Sequence, residues 1–157
     1  MIGATHILLT LIWAGLLGEI NLATLLSGGV LSLAVLSFLT RGTVASAEYF
    51  GKIPKVVNFI FYYLEELVRA NLVIAYDILT PTHHMKPGVV AVPIQAKTDV
   101  EITLLANLIS MTPGTLVLDI SPDRRVLFVH ALYVKDPEAL RLEIQNKLEK
   151  RVLEILR

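Results

Sequence analysis

Cysteine is absent from this 157-residue chain. Disulfide bonds, thiolate metal sites, iron–sulfur ligation and cysteine nucleophiles are therefore excluded, and cysteine usage says nothing about the redox compartment. A surplus of positive charge is also absent, because 14 basic residues balance 14 acidic ones. Binding to nucleic-acid phosphates requires such a surplus, so the composition argues against a nucleic-acid partner.

Charge is almost missing from the first 40 residues, where Glu19 is the only side chain ionised at neutral pH. Two apolar runs, Ile2–Leu17 and Leu22–Leu39, are separated there by the short sequence Gly-Glu-Ile-Asn. About 20 apolar helical residues cross a hydrocarbon core roughly 30 Å thick, and in lipid each backbone amide must be satisfied within its own segment. Residues 1–40 are therefore predicted to form a transmembrane helical hairpin.

A cleaved signal peptide is the alternative for this region, but the expected basic segment before the apolar core is missing and a second apolar run follows at once. Basic side chains come only after the second run, at Arg41, Lys52 and Lys55. Because cytoplasmic flanks of membrane helices carry the excess of Lys and Arg, both the amino terminus and the part after the hairpin are predicted to be cytoplasmic. The predicted location is the plasma membrane, with several passes.

Residues 41–79 are predicted to contain a basic loop and then an amphipathic helix over residues 56–77. At 100° per residue its polar side chains fall on one side and leave the other aliphatic. Glu65 and Arg69 have the favourable i, i+4 order for an ion pair. The helix either lies in the membrane interface or spans the bilayer, and the preceding basic loop favours the interface. The polar side is made of Asn58, Tyr62, Glu65, Glu66, Arg69 and Tyr76.

Residues 80–157 have the composition of a soluble domain, and their local signals predict the order β-α-β-β-α. The β-branched run Gly88–Ile94 and the strand-like segments Thr115–Ile120 and Arg125–Val134 are the predicted strands. The turn sequence Ser-Pro-Asp-Arg joins the last two into a hairpin. The predicted architecture is an α-helical membrane part, made of a two-helix hairpin and an amphipathic third helix, followed by a small cytoplasmic α/β domain.

Two helices of this domain are predicted from their start signals. Thr98 and Glu101 have the spacing of a capping box, before a helix that ends near Ser110. Asp136 supplies an N-cap for a final helix over about Pro137–Leu156, with proline in its first turn. This last helix is expected to bury a single stripe, composed of Leu140, Ile144, Leu148, Val152 and Ile155.

No complete active site is visible in the sequence. The neighbouring residues His83 and His84 do not converge on one metal ion and are interpreted as solvated linker residues. The sequence Thr-Pro-Gly-Thr at residues 112–115 lacks the spacing of a phosphate loop and is interpreted as a helix stop. We therefore expect no catalytic residues, no cofactor and no metal ion.

Acidic residues at or near membrane depth are costly and often belong to an ion or proton path. Glu19 is interpreted as a turn residue at the level of the headgroups, with a role as ion ligand as the alternative. For Glu65, a position on an interfacial helix face and a buried contact with another membrane subunit remain about equally open. Glu19, Glu65 and Arg69 are thus the candidate ion-path or subunit-interface residues.

Four motifs occur together between Pro87 and Val134. They are Pro-Gly-x-Val-Ala-x-Pro, Thr-Asp-x-Glu-x-Thr-Leu-Leu-Ala-Asn, Thr-Pro-Gly-Thr-Leu, and a Val-His pair after the turn of the predicted β-hairpin. This combination resembles the signature region of the E subunit of Mrp-type multisubunit Na+/H+ antiporters. The order of apolar amino terminus, amphipathic segment and small α/β domain also resembles that family. The similarity therefore extends over essentially the whole chain.

The resemblance implies an accessory, non-catalytic membrane subunit that supports the assembly and stability of a complex exchanging Na+ for H+. Other membrane subunits and the lipid bilayer are the implied partners. The family's ion translocation is attributed mainly to its large antiporter-like subunits, so the resemblance implies no catalytic residue here. The same role in a membrane-bound hydrogenase or related respiratory complex is one alternative. A stand-alone membrane-anchored binding domain is the other.

Overall fold

The computed structural model describes residues 2–81 and 85–157. The chain divides into two compact units, Met1–Pro54 and Lys55–Arg157. His83 and His84 lie outside the described residues, so their interpretation as linker residues stays a prediction. The helices are α1 (Ile2–Leu17), α2 (Leu22–Leu39), α3 (Val44–Leu79), α4 (Asp99–Met111), α5 (Pro137–Glu143) and α6 (Lys150–Leu156), and the strands are β1 (Gly88–Pro93), β2 (Thr115–Ile120) and β3 (Val126–Ala131).

The first unit is built on α1 and α2, which occupy the two apolar runs of the sequence. Gly18 follows the end of α1 with a left-handed backbone (φ +71°), a conformation that glycine adopts without steric cost. Asn21 caps α2, because its side chain accepts the Thr24 N–H at 2.9 Å while the Thr24 hydroxyl accepts the Asn21 N–H at 3.0 Å. Local hydrogen bonds therefore fix both helix ends at the connection.

Close packing of α1 on α2 requires a glycine at position 28. A Cβ atom on Gly28 would lie 2.9 Å from Trp13 Cδ1 and 3.1 Å from the Thr10 carbonyl oxygen. Polar atoms meet across the same seam, where the hydroxyls of Thr10 and Ser32 are 3.1 Å apart. Small residues and hydrogen-bonding side chains of this kind are typical of helix contacts in lipid.

The outward sides of α1 and α2 are apolar. Leu16 and Leu22 are 78% and 74% exposed, whereas Ser32 is buried in the seam. Water-soluble helix pairs have the opposite arrangement, with apolar residues inside and polar residues outside. Within the described residues, α2 is the one helix long and apolar enough to cross a membrane, with a mean hydropathy of 2.1, while α1 is apolar but has only 16 residues.

Helix α3 begins earlier than the sequence indicated, so the predicted extent of the basic loop is wrong. Only residues 40–43 separate α2 from α3. The Thr43 hydroxyl accepts the N–H of Ser46 at 3.2 Å and thereby starts the helix. Pro54 lies inside α3, although a proline in a helix interior removes one hydrogen bond and usually kinks or ends the helix.

In the second unit, an antiparallel sheet has the strand order β1-β3-β2. Inward and outward residues alternate along β3, where Leu127 and Val129 are buried and Phe128 is 36% exposed. The strand predicted to reach Val134 ends at Ala131. Beyond it the Leu132 N–H donates to the Gly114 carbonyl at 2.8 Å, and Tyr133 forms only an isolated bridge with Lys86.

The core of this unit lies between the inner face of the sheet and the helices. Its centre is formed by Leu105 of α4, which is fully buried. Val89 and Leu116 face away from this core and are 57% and 49% exposed. The other buried core residues are Val90, Val92, Ala96, Ile102, Ile109, Leu127, Val129, Ile144 and Leu153.

The final helix is interrupted by a π-helical segment, Ile144–Glu149, between α5 and α6. A π turn contains one residue more than an α turn and so rotates the buried face. The predicted stripe is therefore only partly confirmed in its second half: Val152 is buried as expected, but Glu149 and Leu153 are buried as well and Ile155 is only partly covered. The Glu149 Oε1 atom accepts the backbone N–H groups of Gln95 at 2.5 Å and Ala96 at 2.9 Å.

The predicted capping box of α4 is confirmed. The Thr98 hydroxyl accepts the Glu101 N–H at 3.2 Å, and the Glu101 carboxylate accepts the Thr98 N–H at 3.2 Å. Arg157 adds an ion pair that sequence reasoning missed, with its Nε atom 3.0 Å from Glu101 Oε1. The pKa of Glu101 falls from 4.5 to about 2, chiefly because Arg157 donates hydrogen bonds to the carboxylate and next because the Lys97 N–H does.

Replacing Thr98 with Ala removes the cap and is expected to lower the free energy of unfolding by about 1 kcal/mol. Thr103 lies exposed on the same helix, and Thr103→Ala is the matched control, with a change expected to stay within about 0.5 kcal/mol. Denaturant unfolding of the full-length chain in detergent measures both. Equal losses for the two variants would contradict the cap.

The lowered pKa of Glu101 predicts sensitivity to acid. Since the carboxylate has a lower pKa in the folded state, its contribution is fully present above pH 4.5 and is lost as the pH falls toward about 2. The melting temperature of the full-length chain should therefore fall more steeply across this window than that of Glu101→Gln, which does not titrate. Parallel curves for the two proteins would refute the assignment.

Candidate subunit-interface site

The part of α3 in the second unit is held along the α/β domain by side-chain contacts. The Tyr63 hydroxyl donates to the Leu108 carbonyl at the end of α4, at 2.9 Å. The Tyr133 hydroxyl donates to Asp77 Oδ2 at 3.0 Å. These two contacts lie about four helical turns apart, so this part of the helix is fixed lengthwise rather than at a single point.

A third contact joins α3 to the last helix. The Arg151 guanidinium lies over the Tyr62 ring, 4.2 Å from its centroid, in a cation–π contact. Asp77 is only 2% exposed, and its bond to Tyr133 offsets part of the cost of burying a carboxylate. Burial and the Asp77 hydrogen bond raise the pKa of Tyr133, which keeps the phenol protonated as donor.

These contacts change the interpretation of the polar stripe on α3. The sequence suggested that the stripe faces headgroups or partner subunits. In the structure, Tyr62 and Glu66 are half-buried and line open grooves whose other walls belong to the chain's own α/β domain. Part of the stripe is therefore covered internally, and only its outer edge is left for another molecule.

A groove of about 380 Å³ runs between α3, the loop after α4 and the last helix. Glu66 and Arg69 border it from α3. Glu143 and Lys147 border it from the last helix, with Lys147 Nζ 2.7 Å from Glu143 Oε1. The Glu143 carboxylate raises the pKa of Lys147, so the Lys147 ammonium stays charged near neutral pH. Charges of both signs make the groove suited to polar side chains of a protein.

The candidates Glu65 and Arg69 are not brought together. Arg69 borders the groove, whereas Glu65 is exposed and is not among the residues that line it. Within residues 2–81 and 85–157, no ion pair joins the two side chains, so the predicted i, i+4 pair is wrong. Both remain exposed on the outer edge of the polar stripe.

Glu19 belongs to the connection between α1 and α2 in the first unit, and it is exposed. Its Oε2 atom accepts a hydrogen bond from Asn21 Nδ2 at 3.2 Å, and its backbone carbonyl accepts one from the Thr24 hydroxyl at 2.9 Å. In the described part of the chain, no group of three or more His, Cys, Asp or Glu side chains could hold a metal ion. These contacts are those of a turn residue.

His6 was missed because charge counting treats it as neutral. In the first unit its Nδ1 atom lies 2.6 Å from the Tyr49 hydroxyl and its Nε2 atom 3.1 Å from the Gly29 carbonyl oxygen. A carbonyl oxygen only accepts, so Nε2 is the donor to Gly29. An imidazole inside an apolar run was the available signal for a polar link.

Glu149 was missed as well. It is 1% exposed, and among the described residues its Oε2 atom has no hydrogen-bond partner. Its neighbours in sequence offer no signal for burial, because the π-helical segment turns it inward and its bonding partners are more than 50 residues away. The burial of this carboxylate is therefore visible only in the tertiary structure.

Comparison with known proteins gives a consistent result along the whole chain. The family described as Na+/H+ ion antiporter subunit matches residues 6–155. The chain is 33% identical to the E subunit of the Na+/H+ antiporter of Alkalihalophilus pseudofirmus over 150 residues, 96% of this chain and 94% of that protein. It is 32% identical to the corresponding E subunit of Bacillus subtilis over 152 residues, 97% of this chain and 96% of that protein.

Two solved complexes contain similar chains. A chain of an archaeal respiratory complex, the membrane-bound sulfane sulfur reductase, has 28% identity and a TM-score of 0.61, covering 98% of both chains. A chain of the Mrp complex from Dietzia sp. DQ12-45-1b has 27% identity and a TM-score of 0.51, covering 65% of this chain and 96% of that one. The resemblance carried by the motifs between Pro87 and Val134 is confirmed, and the chain belongs to the family of Na+/H+ antiporter E subunits.

Proposed function

We propose that this chain is an accessory, non-catalytic membrane subunit of a multisubunit Na+/H+ antiporter and supports the assembly and stability of that complex. The observation that supports it most strongly is the arrangement of the α1/α2 pair, in which apolar side chains face outward and polar groups lie between the helices. Leu16 and Leu22 are exposed, while the hydroxyls of Thr10 and Ser32 meet inside. This arrangement suits a hydrocarbon environment, where polar groups must find partners between helices.

In this proposal α1 and α2 cross the membrane as a hairpin and anchor the chain. The α/β domain lies on the cytoplasmic side, as the basic residues Arg41, Lys52 and Lys55 after the hairpin suggest. The groove bordered by Glu66, Arg69 and Lys147 is a surface on which a neighbouring subunit rests. Support for partner subunits comes from the relatives, which are components of antiporter and respiratory membrane complexes.

A second candidate is the same accessory role in a respiratory membrane complex. It is favoured by the coverage of 98% in both directions with the sulfane sulfur reductase chain, compared with 65% of this chain for the Mrp complex. The two candidates differ in the large subunits that surround the chain, and the chain's own chemistry is the same in both.

Copurification tests this function and the hairpin together. A tagged chain extracted in mild detergent should bring down large membrane subunits, whose identity separates an antiporter from a respiratory complex. Gly28→Leu should reduce their recovery several-fold, because a side chain there collides with Trp13 and the Thr10 backbone. Gly29→Leu is the matched control, since a Cβ at Gly29 meets nothing within 4 Å.

Recovery of the wild-type chain alone and monodisperse would contradict the subunit role. Equal recovery of the complex by both glycine variants would contradict the packed hairpin.

The turn assignment of Glu19 gives a separate prediction. Glu19→Gln keeps an acceptor for the Asn21 amide and removes the charge, so Na+-dependent proton transport by the assembled complex should stay unchanged. Transport is measured in everted vesicles at equal complex abundance. A large loss of transport with normal abundance would establish an ion-path role instead.

A further inference from the structure

The second-unit part of α3 has a face that the α/β domain leaves free. At 100° per residue, its members fall within one sector of the helix, away from Tyr63 and Asp77. They extend over residues 57–79, roughly 33 Å at 1.5 Å per residue. Their exposed fractions range from 46% to 83%. The members are Val57, Ile60, Phe61, Leu64, Val68, Leu72, Ile78 and Leu79, and we call them the apolar strip.

Asn71 is the polar side chain within this sector, and its amide is tied to the helix itself. Its Nδ2 atom donates to the Leu67 carbonyl oxygen at 2.7 Å. An amide bonded to its own backbone has less to gain from water, which lowers the cost of placing it in an apolar medium. Glu65 and Arg69 lie beside the apolar strip and remain exposed at its edge. The strip is therefore apolar along its length, with charges at one side.

The contacts on the opposite face restrict how this helix meets a bilayer. Tyr63 and Asp77 fix it lengthwise to a domain that carries ion pairs such as Glu143–Lys147. If this part of α3 crossed the hydrocarbon core, the attached domain and its charges would have to enter with it, at a prohibitive desolvation cost. A helix held in this way can present its free face to the membrane only when its axis runs parallel to the membrane surface.

We propose that the apolar strip lies in the boundary between headgroups and acyl chains, with the axis of this part of α3 in the plane of the membrane. The strip is thus in contact with lipid. Three features support lipid: the strip's length, its charged edge at Glu65 and Arg69, and the start of α3 only four residues after α2. The inference rests on the proposed membrane location of the chain and adds a second attachment to the hairpin.

Spin labels on the full-length chain test this arrangement. The chain has no cysteine, so each introduced cysteine is unique. Leu64→Cys, Val68→Cys and Leu72→Cys place labels on the strip, and Glu65→Cys and Arg69→Cys are matched controls on its edge. The chains are reconstituted in vesicles of phosphatidylcholine and phosphatidylglycerol (3:1), and collisions with oxygen and with an aqueous nickel chelate report depth.

We expect the three strip labels to share one shallow depth, with oxygen collisions several-fold above those of the edge labels and the reverse order for nickel. A helix that spans would instead change depth by about 1.5 Å per residue, or about 12 Å between positions 64 and 72. That gradient would overturn the proposal. So would strip labels open to nickel, or strip labels shielded from both reagents by protein.

The same labels in the assembled complex separate lipid from a partner subunit. Oxygen collisions at Val68→Cys and Leu72→Cys should persist there, whereas their loss would show that a subunit covers the strip and would overturn the proposal. Flotation of the vesicles distinguishes this failure from failure of the membrane anchor. A chain that floats with its strip labels in water refutes only the inference, whereas a chain that does not float refutes the anchor itself.

Discussion

The second unit depends on how α3 is held along the α/β domain. Tyr63 and Asp77 stand about four helical turns apart and so share one face of α3, and each is hydrogen-bonded to the domain. Because this face is fixed against the domain, the directions in which the other faces of α3 point are fixed as well. The apolar strip is turned away, and Glu65 and Arg69 lie on the edge between strip and domain. Two phenol hydroxyls thereby decide which surfaces of the chain are free to meet lipid or protein.

Local signals predicted much of the fold because the interactions behind them are local. Thr98 and Glu101 satisfy each other's backbone groups within one turn, so their spacing was enough to predict the start of α4. The bounds of α1 and α2 coincide with the two apolar runs, since residues 18–21 contain the glycine and the capping asparagine that separate them. In each case the residues that specify the structure are adjacent to the structure they specify.

The features that sequence reasoning missed are of two kinds. Some depend on partners far away in the sequence, and others carry an energetic cost, such as a proline inside a helix, that the rest of the fold offsets. Pro54 lies inside α3, although proline usually interrupts a helix. Glu149 is buried because the π-helical segment rotates it toward the backbone of Gln95 and Ala96. His6 meets Tyr49 from 43 residues away. The candidate residues Glu19, Glu65 and Arg69 are all exposed, but the predicted Glu65–Arg69 pair does not form in the described chain.

The distribution of satisfied polar groups bears on how the chain contributes to transport. A transport path needs groups that exchange partners with a moving ion, because a group held by strong internal bonds must break them first. In the first unit, His6 is bonded through both ring nitrogens and Ser32 contacts both Thr10 and the Gly29 carbonyl. These polar groups of the hairpin are therefore engaged in holding helices together. Glu19 lies at the exposed turn instead, where its bonding partners, Asn21 and Thr24, belong to the same connection and the start of α2.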